Sequence, residues 1–240
     1  MGKTSIPLGL MFSQEGPYAA VGENMSRGAH LAVGEITEDC AYDFSFELHC
    51  AEPGGRNEGY VASAQALLAH PSLWHVIGCY TSSSRKEVLP VFEKMDALLW
   101  YPSHYEGFET SENIVYTGAA PNQHVVPLTH YVLSEGGRRA FMVGSNYIWA
   151  WENNRVMREI LARNGGQVLG ERYLPIDEVN VGELVDLILR HCPDFVFSTL
   201  IGESVILPVL TGRDRRTHAA IFSFMAGVTP PMPMLGRSLL

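Results

Sequence analysis

The sequence predicts an α/β molecule of two lobes, each a mostly parallel sheet flanked by helices. Short apolar runs alternate with segments of helical periodicity, the pattern of strand, crossover helix and parallel strand. That pattern pauses at Gly118 to Asn122, a stretch with glycine and proline but no long flexible linker, and then restarts. Its shortness predicts a hinge between lobes spanning residues 1–119 and 120–206. Hydrophobic residues at 46% and charged residues at 18% exclude a disordered chain, a collagen and a coiled coil. The 240 residues suit one large domain or two modest lobes.

Taken in order, Leu8 to Phe12 reads as the first strand. Met25, Ala29, Ala32, Val33 and Ile36 recur at helical spacing, predicting a helix over 22–38 with one buried stripe. Phe44 to Cys50 reads as a strand, and Tyr60, Val61, Ala64, Leu67 and Leu68 mark the next helix. A strand over 74–78, a helix over 86–95 and a strand over 98–101 complete the first series. After Asn113 to Tyr116 come a helix near 125–134, a strand over 140–144 and a helix over 152–164. A strand over 168–173, a helix over 181–190 and a strand over 195–199 follow. Beyond about Ile206 the character changes. Residues 207–240 hold four arginines against one aspartate, and Pro230, Pro231 and Pro233 forbid regular helix or central strand. This tail is predicted to be irregular.

The net charge of −9 repels phosphate backbones, so direct nucleic-acid binding is not expected. Cysteines 40, 50, 79 and 192 form no close pair, which argues for buried free thiols over a zinc site or disulfide framework. The first residues lack the pattern of a secretory signal, and no run of 18 apolar residues occurs, so no membrane span is expected and the cytoplasm is the expected compartment, with the periplasm the alternative if a signal has been removed.

In open α/β sheets ligands bind beyond the carboxyl ends of strands, which directs attention to three loops. Cys79 to Lys86 is hydroxyl-rich and opens a helix, where backbone N–H groups favour a carbonyl oxygen or an anion; helix capping explains it equally well. Tyr101 to Glu109 is unusually aromatic for an exposed loop. Gly144 to Glu152 puts Tyr147 and Trp149 just before a helix, where they could close over a small ligand. Enzyme signatures fare poorly. Ser83 and Lys86 satisfy the SxxK spacing of serine acyl-transferases, but no SDN or KTG companion follows. No GxGxxG, Walker A, HExxH or GxSxG occurs, and the nine histidines are scattered without metal-ligand companions. Neither a catalytic residue, a metal nor a cofactor is expected.

Several of these stretches together carry a resemblance: Gly78-Cys79-Tyr80, Ser82, Arg85-Lys86, Tyr101-Pro102, Tyr105 to Glu109, Asn113 to Tyr116, Ala120 to Gln123, Gly144-Ser145, Tyr147-Ile148 and Phe197 to Thr199. From about Ile6 to Ile206 the chain resembles the amide-sensing negative regulators of aliphatic amidase expression (the AmiC family), in the urea and short-chain amide branch of the type I periplasmic-binding-protein fold. The resemblance implies two α/β lobes closing on a small amide, with Ser82, Tyr101, Ser103, Tyr147 and Trp149 lining the cleft. Ser103 stands where that family has threonine, Trp149 where it has tyrosine and His104 where it has proline. Trp149 donates a hydrogen bond but cannot accept one. Glu203 is a further acid that could accept from an amide NH2.

The resemblance further implies a cytoplasmic, non-enzymatic sensor of acetamide, propionamide or urea whose partner is an RNA-binding antiterminator protein, and it allows a homo-oligomer. Its alternative is the substrate-binding component of a urea or short-chain amide ABC transporter. The resemblance fails near Leu207, and the +3 tail predicts a truncated molecule whose lobes are incomplete. For a ligand this small the efficiency ceiling gives about −6 kcal/mol, hence a dissociation constant around tens of micromolar.

Overall fold

A computed structural model describes residues 3–16, 18–176 and 178–201, together with the backbone of 220–223. Two parallel sheets are present. The first is built from β1 (Thr4–Met11), β2 (Phe44–Ala51), β3 (His75–Gly78), β4 (Leu98–Tyr101) and β5 (Ile114–Tyr116), in the spatial order β2-β1-β3-β4-β5. Helices α1 (Ala19–Glu38), α2 (Asn57–Leu68) and α3 (Ser82–Met95) make the crossovers. The second contains β6 (Arg139–Ser145), β7 (Gln167–Leu174), β8 (Phe195–Thr199) and β9 (Ala220–Ser223), ordered β7-β6-β8-β9, with helices α4 (Val125–Ser134), α5 (Ile148–Arg163) and α6 (Gly182–His191).

Why the strands read as apolar runs is visible in the packing. Parallel strands joined by crossover helices are covered on both faces. In β6, Ala140 and Met142 face one core with Met157, Leu161, Phe195 and Phe197. Phe141 and Val143 face the other, with Leu184, Ile188 and Val196. This is the two-residue alternation of a strand with no polar side to show. In the first sheet Met11, Val76, Leu99 and Ile114 pack with Tyr60, Ala64 and Leu67 of α2 and with Val88 and Phe92 of α3.

The alternation places two crevices. In the first sheet the order of strands reverses direction between β1 and β3; in the second it does so between β6 and β8. Loops leaving the carboxyl ends of such a neighbouring pair diverge to opposite faces and leave a gap, the topological switch point where α/β sheets bind ligands.

Several expectations need correction. Helix α3 begins at Ser82 rather than 86, because the Thr81 hydroxyl caps it by accepting from the Ser84 amide at 3.1 Å. Helix α5 begins at Ile148, so Trp149 lies in its first turn and not in the loop before it. The stripe of α1 is only half-buried and Ala32 is exposed, since this helix packs beside the edge strand β2; its tightest approach is Gly22, where a Cβ would stand 1.7 Å from the Ser13 carbonyl oxygen. Of the four thiols only Cys79 is buried, and the other three are exposed. The tail is not wholly irregular either. Ala220–Ser223 adds a parallel edge strand to β8, with Phe195 opposite Ala220 and Ser198 opposite Ser223. The rest of 207–240, and Glu203, lie outside the described residues.

Candidate ligand-binding cleft

The carboxyl ends of β3 and β4 in one lobe and of β6 and β8 in the other converge on a single cleft. Tyr80, Ser82, Tyr101, Ser103, His104, Tyr147, Trp149 and Ile201 line it. All five residues expected from the sequence are brought together, and Tyr80, His104 and Ile201 join them. The space between them is about 10 Å3, roughly the room of one water molecule.

Each wall follows from local chemistry. After β3 the chain turns through Cys79, whose φ of 64° lies in the left-handed region, while its amide donates to the Met11 carbonyl at 3.1 Å. The turn delivers Tyr80 to the cleft and Ser82 to the first turn of α3. Tyr101 ends β4 and donates its hydroxyl to the Tyr80 carbonyl at 2.9 Å, tying the first two loops. Ser103 follows one residue beyond Pro102; Gly118 permits its placement, since a Cβ there would meet the Ser103 carbonyl oxygen at 2.0 Å. On the opposite side, Tyr147 and Trp149 stack with ring centroids 6.2 Å apart. The Ser145 hydroxyl oxygen accepts from the Ile201 amide at 3.0 Å, joining the loops after β6 and β8. Tyr18, Trp149, Ala150 and Ile201 form a small apolar cluster behind the aromatic wall, with Tyr80 and Tyr147 packed on it.

Burial keeps this lining neutral. It pushes the Tyr80 hydroxyl up to about 12 and raises Tyr101 and Tyr147 well above the ordinary phenol range. It lowers His104, and it takes neighbouring His124 to about 4, with the facing His104 adding to the effect. The two imidazoles meet edge to face at 5.3 Å. Two lining groups are buried with no hydrogen-bond partner among the described residues: the Ser103 hydroxyl and the Trp149 indole N–H. A buried donor left unmade costs about 1–3 kcal/mol, so each of these groups would gain from a polar partner entering the cleft.

Behind Ser82 stands a charged cluster to which the sequence reading assigned no role. Arg85 is 0% exposed and Glu106 2%. The Arg85 guanidinium donates to Glu106 at 2.9 Å and to Glu109 at 2.6 Å. Its carbon lies 4.9, 5.5 and 5.8 Å from the rings of Tyr101, Tyr116 and Tyr105. Tyr116 donates to Glu109 at 2.8 Å, and the Ser82 hydroxyl donates to Glu106 at 2.6 Å. Lys86 reaches Glu109 at 3.3 Å and Glu106 at 3.5 Å, so its ammonium is held between carboxylates rather than offered to Ser83 as a base. Ser83 instead shares a hydrogen bond with Thr81 at 3.0 Å. These residues stand inside the loops quoted above, but nothing in their spacing shows that a cation at 85 meets acids at 106 and 109.

Two parallel α/β sheets presenting their switch points to one shared cleft define a two-lobe ligand-binding protein. Residues 6–210 match the periplasmic binding protein domain family, and the chain belongs to it. Solved structures of similar fold include an ABC transporter solute-binding protein from Rhodopseudomonas palustris in complex with 4-hydroxybenzoate, at TM-score 0.78 and 19% identity over 91% of this chain and 61% of that one. A second from that organism, in complex with benzoate, gives TM-score 0.78 and 14% identity over 91% and 62%. An amino acid ABC transporter substrate-binding protein from Pseudomonas fluorescens gives TM-score 0.72 and 16% identity over 91% and 61%. This chain therefore spans about three fifths of the length of those proteins. Among the described residues no helix is long and apolar enough to cross a membrane.

Proposed function

We propose that this chain binds a small neutral amide or urea in the cleft between its lobes, as a solute-binding component of an ABC-transporter system. The observation that carries the ligand class is the pair of buried, unpartnered groups, Ser103 Oγ and Trp149 Nε1, among phenols that burial keeps uncharged. A carboxylate ligand of the kind named for the R. palustris proteins is held most strongly by a cation. Among the described residues no lysine or arginine lines the cleft, and nearby Arg85 is already engaged by two carboxylates.

The solute-binding neighbours support the transporter alternative over the regulator with an antiterminator partner, and that reading carries a periplasmic location with it. Calorimetric titration tests the ligand class. Acetamide, propionamide or urea is expected to bind with a dissociation constant of tens of micromolar, and benzoate and 4-hydroxybenzoate not to bind. Binding of benzoate alone overturns the neutral-ligand reading.

A further inference from the structure

Ser82 lines the cleft with an oxygen whose proton is already committed. Its hydroxyl donates to Glu106 Oε2 at 2.6 Å, and Glu106, held by Arg85 at 2.9 Å, can only accept as a carboxylate. Arg85 Nη1 also points at the same hydroxyl oxygen from 3.4 Å. A hydroxyl has one proton, so what Ser82 has left to show a guest is lone-pair density. Trp149 shows the reverse, a proton and no lone pair.

We propose that Glu106 is a positioning residue that fixes the direction of the Ser82 hydroxyl, making Ser82 an obligate acceptor, and that it thereby selects ligands carrying an N–H donor and rejects carboxylates. This rests on the amide reading of the cleft and deepens it. A primary amide or urea offers N–H to Ser82 and a carbonyl to Trp149. A carboxylate offers only lone pairs, which Ser82 meets with its own. The fixed polarity thus supplies the repulsive element that discrimination between near-isosteres requires.

Glu106→Gln tests it. The glutamine carbonyl can keep the bond from Arg85, leaving its NH2 to donate to Ser82 and turn the hydroxyl proton toward the cleft. The control is Glu109→Gln, which removes a carboxylate from Arg85 equally but does not touch Ser82. Wild type and both variants are titrated with acetamide, urea and acetate. The expected result is that Glu106→Gln lowers the acetamide-to-acetate affinity ratio by about tenfold or more, while Glu109→Gln leaves it within about threefold of wild type. If Glu106→Gln shows no cooperative melt, Ser82→Ala decides, since it leaves the Arg85–Glu106 pair in place. It is expected to weaken acetamide about tenfold and leave acetone, a carbonyl without an N–H, unchanged. Amide binding with an unmoved ratio, or with equal shifts in the two glutamine variants, overturns the polarity assignment alone. A wild type that binds neither acetamide nor urea overturns the amide reading with it.

Discussion

Trp149 joins two quantities that seem unrelated, affinity and stability. Its indole N–H is buried at the cleft without a partner among the described residues, while its ring is fixed by Tyr147, Ala150 and Ile201. Trp149→Phe keeps most of the apolar contact and deletes the donor. An unmade buried donor costs about 1–3 kcal/mol, so the ligand-free variant is expected to be more stable by about 1 kcal/mol. Where an amide carbonyl accepts from that N–H, its loss costs about 1 kcal/mol of binding, or five- to tenfold in dissociation constant. Thermal melts and calorimetry on the same preparation read both numbers. An unchanged amide affinity would remove Trp149 from the proposed ligand contacts.

At the scale of elements, α3 is the piece that ties scaffold to site. Thr81 caps it, Ser82 faces the cleft and Arg85, one turn on, lies beneath under three tyrosine rings. A buried ion cluster is weak evidence of net stability, but breaking it by removing one partner is costly. Arg85→Met preserves volume and leaves Glu106 and Glu109 only the half-exposed Lys86 as a cation, and is expected to destabilise by about 3 kcal/mol in urea unfolding. Adding Glu106→Gln and Glu109→Gln should recover a large part of that loss, which independent sites would not do. Loss of less than about 1 kcal/mol in Arg85→Met would mean the cluster is solvated in solution. The same helix marks the limit of what was legible in the sequence. The apolar period placed α4 and β4 to the residue and gave every strand through β8 except the three-residue β5, because burial on both faces leaves a local signature. The five expected cleft residues do meet around one space, since they sit in loops that the strand order must bring together. What stayed hidden was non-local or polar. The start of α3 depends on a hydroxyl cap inside a serine run, the Arg85 cluster on a pairing across 21 and 24 residues, and β9 on partners that a four-residue strand does not announce.

For the whole molecule, the histidine pair beside the cleft predicts how acid acts. His104 lies in the loop after β4 and lines the cleft, while His124 follows the segment that leads from the first sheet to the second. Burial and the facing imidazole lower His124 from an ordinary 6.5 to about 4, and burial lowers His104 in the same direction. In the unfolded chain both protonate near pH 6.5. Below that the unfolded state binds more protons than the folded one, so stability must fall as pH falls. The loss starts near 6.5 and continues toward 4, where folded His124 takes up its own proton. Between pH 7 and 5, above the range in which most carboxylates titrate, His124 alone is expected to remove about 2 kcal/mol. His124→Gln should flatten this slope without lowering stability at pH 5. Urea unfolding of both proteins at pH 5, 6 and 7 makes the comparison, and parallel slopes would mean that these imidazoles are solvated. Over that window the folded His124 stays neutral, so the fold loses stability while the charge beside the cleft is unchanged.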